Sequence, residues 1–128
     1  MKKLITLVAL FTIFSGHAVF LDKCSNTDLR SGQGISNRFE TCMERNFWDI
    51  ESYTRNIRFK NCNNMRRDGV SSFYIRCIND NFNKVSFEIP GSFIKHCFQF
   101  DRDKLEDRFI DCVNDNFDNI ERAIRFRR

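Results

Sequence analysis

What the chain lacks narrows the reading first. There is no large excess of charge of one sign: 21 Lys and Arg stand against 17 Asp and Glu. Setting aside Lys2 and Lys3, which belong to an N-terminal leader, leaves 19 basic side chains against 17 acidic ones. These charges are interleaved, as on a solvated helical surface, so no nucleic-acid partner is expected and an anionic membrane is disfavoured. Beyond the first fourteen residues no apolar run approaches the ~20 residues that a membrane-spanning helix requires. Only one histidine, His96, follows the leader, and no two cysteines lie within four residues of each other, so zinc-ligand spacing is missing. Asn79-Asp80-Asn81 and Asn114-Asp115-Asn116 offer oxygen ligands but lack the glycine of a calcium-binding loop and fall inside a helical pattern. No metal and no cofactor are expected. No Asn-x-Ser/Thr acceptor occurs, so N-glycosylation is not expected either.

What is present begins with Met1-Lys2-Lys3, an apolar run from Leu4 to Phe14, and Gly16-His17-Ala18. A positive end, a short apolar core and small residues at −3 and −1 read as a secretory signal peptide over 1–18, cleaved after Ala18. Residues 19–128 are then a single secreted, extracellular domain. All six cysteines, at 24, 42, 62, 77, 97 and 112, lie in it. An even count behind a signal peptide reads as three disulfides formed in an oxidising compartment.

The domain is written three times. Phe39-Glu-Thr-Cys42-Met-Glu-Arg-Asn46-Phe47 returns as Tyr74-Ile-Arg-Cys77-Ile-Asn-Asp-Asn81-Phe82 and as Phe109-Ile-Asp-Cys112-Val-Asn-Asp-Asn116-Phe117. The three cysteines stand 35 residues apart, as do Cys62 and Cys97. A period of this size is typical of helical-hairpin repeats. Phe39, Cys42, Met43, Phe47 and Ile50 lie on one helical face, and the other two copies repeat that spacing. The last copy carries a capping box at Asp103-Lys-Leu-Glu106 and is helical from Lys104 to about Arg125.

The first half of each unit carries an apolar residue three before its cysteine: Leu21, Phe59 and Ile94. This predicts a second, shorter helix, with Ser92 capping the one that bears Cys97 and turns at 28–34, 68–69 and 101–103. The expected fold is therefore all-α: three tandem disulfide-pinned helical hairpins, with units 19–50, 51–87 and 88–128, packed as a small helical array or bundle. Facing positions on packed arms meet the Cα separation of about 5.5 Å that a disulfide needs. That favours Cys24–Cys42, Cys62–Cys77 and Cys97–Cys112. Cys42–Cys62 and Cys77–Cys97 with Cys24–Cys112 is the alternative, because that spacing also repeats. The expected core comprises Phe39, Phe47, Tyr74, Phe82, Phe109 and Phe117. The recurring Asn before Phe is read as a structural hydrogen bond to a neighbouring hairpin.

No catalytic constellation emerges. His96 abuts Cys97, which a disulfide removes as a nucleophile. Asp111, Asp115 and Asp118 share a helix face with Arg108 and Arg122, which reads as exposed ion pairing. The tail from Arg122 to Arg128 is basic and slightly amphipathic, and reads as the end of the last helix. The function expected is non-catalytic binding of another extracellular protein, as by an effector, a venom or salivary component, or a signalling ligand. The alternative is carriage of a small hydrophobic ligand in a Phe-lined helical cavity. A cavity requires Phe47, Phe82 and Phe117 to diverge; interlocked rings would leave none.

Overall fold

Two serines set where the first two helices begin. In the computed structural model, which describes residues 19–26, 34–64, 70–97 and 105–126 (side chains of Leu105 and Glu106 excepted), α1 spans Asn37–Thr54 and α2 spans Ser72–Glu88. The hydroxyls of Ser36 and Ser71 accept the N–H of Phe39 and Tyr74, each at 3.1 Å, satisfying donors that a helix start leaves open. Arg55 ends α1 in the left-handed region at φ 60°. Ile89 ends α2 immediately before Pro90, whose ring disfavours the helical conformation in the residue preceding it. The third helix, α3, spans Leu105–Arg125, with Arg122 and Arg125 near the negative end of its dipole. The described residues contain helices and no strand.

The shorter helices expected in each first half are not found. Residues 19–26, 57–64 and 92–97, here called arms 1, 2 and 3, carry neither helix nor strand, so helix-turn-helix hairpins do not describe these segments. Tyr53 belongs to α1, and Ile57 lies past its end. Ser92 is buried but caps no helix, and Phe93 beside it has φ 49°. The physical reason lies in the arm backbones, whose polar groups are taken by side chains of the helices. The expected signal peptide at 1–18, most of the expected turn at 28–34, the expected turns at 68–69 and 101–103 and the expected Asp103 cap lie outside the described residues.

Each arm is tied to the helix that follows it. The disulfides are Cys24–Cys42, Cys62–Cys77 and Cys97–Cys112, with Cα separations of 5.5, 5.7 and 5.6 Å. With sequence separations of 18, 15 and 15, each bond stabilises the fold by about 3 kcal/mol in the chain-entropy account. Asn26 and Asn64, each two residues past an arm cysteine, accept the N–H of the capping residues Ser36 and Ser71 at 2.7 and 2.9 Å.

The helices enclose a triangle of aromatic rings. Phe47, Phe82 and Phe117 meet pairwise at centroid distances of 5.2, 5.1 and 5.2 Å, tilted or edge-to-face. These are favoured aromatic geometries, and each pair adds to the gain from burial alone. Phe59 of arm 2 stacks on Phe47 at 4.7 Å. Phe39, Tyr74 and Phe109 are fully buried one layer away, with Tyr74 and Phe109 in contact at 6.0 Å. Replacing Phe82 by Ala is expected to cost about 3–5 kcal/mol. Phe87→Ala, at a site 85% exposed, should stay within about 0.5 kcal/mol. Urea denaturation of both variants measures the contrast, and equal costs would deny the triangle its central role.

Candidate functional site

The arms matter because their peptide groups have no helix or sheet partner, and asparagines fill that need. Asn46 of α1 accepts the N–H of Asp22 at 2.9 Å and donates to its carbonyl at 2.8 Å. Asn81 of α2 does the same to Lys60 at 2.9 and 3.0 Å, and Asn116 of α3 to Lys95 at 2.8 and 2.8 Å. Each of these Nδ2 atoms also approaches the sulfur of the arm cysteine two residues on, at 3.4–3.5 Å. All three asparagines are buried. The bond expected to reach a neighbouring unit thus reaches the arm that precedes the asparagine's own helix. A carboxamide carries donor and acceptor side by side, and so matches a peptide group from both ends.

A second set of bonds does cross to the neighbour. Asn114 of α3 grips Cys24 of arm 1, with both bonds at 2.7 Å. Asn79 of α2 grips Cys97 of arm 3 at 2.7 and 2.8 Å. Arm 1 therefore lies between α1 and α3, and arm 3 between α3 and α2. Arm 2 lies between α2 and α1, where the Glu51 carboxylate accepts the N–H of Phe59 at 2.6 Å and Glu40 that of Asn64 at 2.9 Å. The residue of α1 in register with Asn79 and Asn114 is Glu44.

Each arm–neighbour contact leaves a cleft. Beside arm 1 it measures about 230 Å³ and includes Asn114 and Glu121; beside arm 3 it measures about 320 Å³ and includes Asn79 and His96. Between α1 and arm 2 it widens to about 430 Å³, lined by Met43, Glu44, Phe47, Trp48, Phe59 and Cys62 among others. Trp48 stands at this cleft with 65% of its surface exposed. Glu40, one helical turn before Glu44, has its carboxyl pushed above the ordinary carboxylate range by burial. The N–H of Asn64 opposes that shift, and the charge of Glu44 adds to it. Burial, reinforced by the same two carboxylates, holds the Tyr74 phenol far above its ordinary range, so it stays neutral.

The residues weighed for chemistry do not converge. His96 is exposed in the arm 3 cleft, and its neighbour Cys97 is disulfide-bonded. Asp115 lies 3.4 Å from Lys95 and Asp118 lies 3.0 Å from Arg122, both pairs at the surface. Asp111 and Arg108 are exposed. Among the described residues no three His, Cys, Asp or Glu side chains gather as a metal site. Likewise no described helix is long and apolar enough to cross a membrane. Sequence reasoning weighed Asn79 and Asn114 only as calcium ligands and passed over Glu44, which shares their column of the repeated stretch. The available signal was a carboxylate standing where the other two copies carry asparagine. No protein-family model, curated protein or solved structure matches the chain.

Two variants test this geometry. Asn116→Asp keeps the shape but removes the donor, and should destabilise the protein by about 2–4 kcal/mol, since a buried carbonyl loses its partner beside a new charge. Asn119→Asp, at a more exposed site where the amide bonds the Phe93 carbonyl at 3.2 Å, should cost clearly less. Glu40 makes a pH prediction. Its folded pKa lies above its unfolded one, so the folded state binds the extra proton and stability falls as pH rises out of the ordinary carboxylate range. Glu40→Gln keeps an acceptor for Asn64 without the charge. It should melt above the parent at pH 7, with the difference shrinking as pH falls through that range in a calorimetric pH series.

Proposed function

We propose that the chain is a secreted, extracellular protein of three tandem units (19–50, 51–87 and 88–128) that acts without catalysis by binding another protein. The observation that carries this reading is the placement of its aromatic side chains. One set, Phe47, Phe82 and Phe117, interlocks on the axis; another, Phe20, Trp48, Phe73, Phe87, Phe93 and Phe126, is at least 65% exposed. Large aromatics held outward on a rigid scaffold offer contact area at low entropic cost, and aromatic residues are enriched at protein interfaces. The three disulfides fit an oxidising compartment and keep so small a scaffold folded there.

Carriage of a small apolar ligand is the second reading, and it needs a Phe-lined chamber. The close triangle favours protein binding over carriage, because its rings occupy the space such a chamber would use. Native mass spectrometry of the secreted protein separates the two. Protein binding predicts a bare chain beginning at Val19, lighter than the reduced form by about 6 Da, two hydrogens per disulfide. It also predicts saturable cross-linking to a discrete extracellular protein, weakened about tenfold or more by joint Trp48→Ala and Phe73→Ala substitution without loss of thermal stability. A bound mass of a few hundred daltons that leaves on activation would put carriage in its place.

A further inference from the structure

All three arms are held by the asparagine of their own helix, but the neighbouring helix grips the arm cysteine in only two of them. Where α3 presents Asn114 to Cys24 and α2 presents Asn79 to Cys97, α1 presents Glu44 toward Cys62. A carboxylate accepts but cannot donate, so it cannot reproduce the two-point pairing. No side chain among the described residues pairs with the N–H and C=O of Cys62. Glu44 itself is exposed and has no hydrogen-bond or ion-pair partner among the described residues. The largest of the three clefts, about 430 Å³, opens here.

Polar groups in this cleft include two acceptors that no other side chain of the described residues takes up, the Glu44 carboxylate and the Cys62 carbonyl, beside the Cys62 N–H and the side chains of Thr41 and Asn61. The Asn81 donor is already spent on Lys60 at 3.0 Å. Two cations reach the rim, but each is engaged elsewhere: Lys60 with Asp80 at 3.3 Å and Arg45 with Asp22 at 4.0 Å. Trp48 adds an exposed indole, and Met43, Phe47 and Phe59 supply an apolar floor.

We propose that this cleft receives an arginine side chain of a partner protein. A guanidinium carries five donors and no acceptor, lies flat against an indole, and brings the charge that Glu44 lacks. It donates to the Cys62 carbonyl and the Glu44 carboxylate while its apolar stem covers Phe59. A carboxamide would match the Cys62 peptide group, as Asn79 and Asn114 match theirs, but would leave the carboxylate uncompensated. This assignment rests on the reading of the chain as a protein binder and names the chemistry one of its surfaces selects.

Trp48 is the only tryptophan in the chain, so its emission reports on the cleft. The probes are capped Gly-Arg-Gly and Gly-Gln-Gly peptides, titrated into the full secreted protein. The arginine peptide should shift Trp48 emission saturably, weaken with added salt, and bind at least about tenfold more tightly than the glutamine peptide. Glu44→Asn restores the missing carboxamide. It should abolish the response and raise the melting temperature by about 5 °C. Should that variant fail to be secreted, Glu44→Gln, which removes only the charge, is titrated instead and should lose the response. No saturable shift with arginine, an equal shift with glutamine, or a response untouched by substitution of Glu44 would overturn the assignment. Cross-linking to a protein partner that Glu44→Asn leaves unchanged would also overturn it while leaving protein binding intact.

Discussion

A peptide group taken out of water, with no helix or sheet around it, must find both a donor and an acceptor in some side chain. The buried carboxamides of Asn46, Asn81 and Asn116 meet that demand, and the rest of the fold depends on their doing so. An arm without such a partner would be driven back toward solvent, because an unpaired buried peptide group costs about 1–3 kcal/mol. With it, the arm lies in the groove between two helices and sets their spacing. The neighbouring disulfide works on the same segment by a different route, limiting how far the unfolded arm can stray from its helix. Asparagine fixes the seat, and cystine fixes the tether.

Once the arms are seated, the helices must close on a common axis, and three phenylalanines fill it. Each ring there belongs to a different helix, so no helix buries its apolar stripe without the other two. Most of the stability of such helices comes from packing their apolar faces rather than from intrinsic propensity, so cooperative closure and the disulfides together sustain a domain of this size. The consequence for function is that the interior is spent on stability. On the proposed reading as a protein binder, recognition would fall to what faces outward, namely the exposed aromatics and the clefts beside the arms.

Much of this was legible in the residues. The one-faced spacing of Phe39, Met43, Phe47 and Ile50, and of its two copies, corresponds to helices with those side chains buried. The arms were misread for a definable reason. Leu21 and Cys24, Phe59 and Cys62, and Ile94 and Cys97 are pairs three apart, and a single such pair also suits an extended chain with three residues per turn. In arm 1 the bonds to α3 come from Leu21 and Cys24, three residues apart, with no helix present. The Asn column was legible as a structural feature, but its target was not. Which arm lies beside which helix depends on closure of the ring, and nothing local encodes that. Glu44 was overlooked because a carboxylate on a helix surface is ordinary until its counterparts are seen to be spent on peptide groups.

The departure at Glu44 is not simple erosion of a repeated contact. Were α1 merely a poor partner for arm 2, the contact would be weak along its length, yet α1 holds the arm firmly on either side of the gap. Glu51 takes the N–H of Phe59, three residues before Cys62, and Glu40 takes that of Asn64, two residues after it. Glu40 does so although burial and the nearby Glu44 charge both work against its ionised form. The arm is thus pinned at both ends of the cleft and left open in the middle, a frame around the arm cysteine whose peptide group no side chain of the described residues takes up. Local contacts that disagree with an otherwise consistent pattern concentrate where a chain interacts rather than where it only folds. A frame that keeps its shape while no side chain of the described residues takes up the Cys62 carbonyl or the Glu44 carboxylate leaves both open to a donor from outside, which is what the proposed arginine would supply.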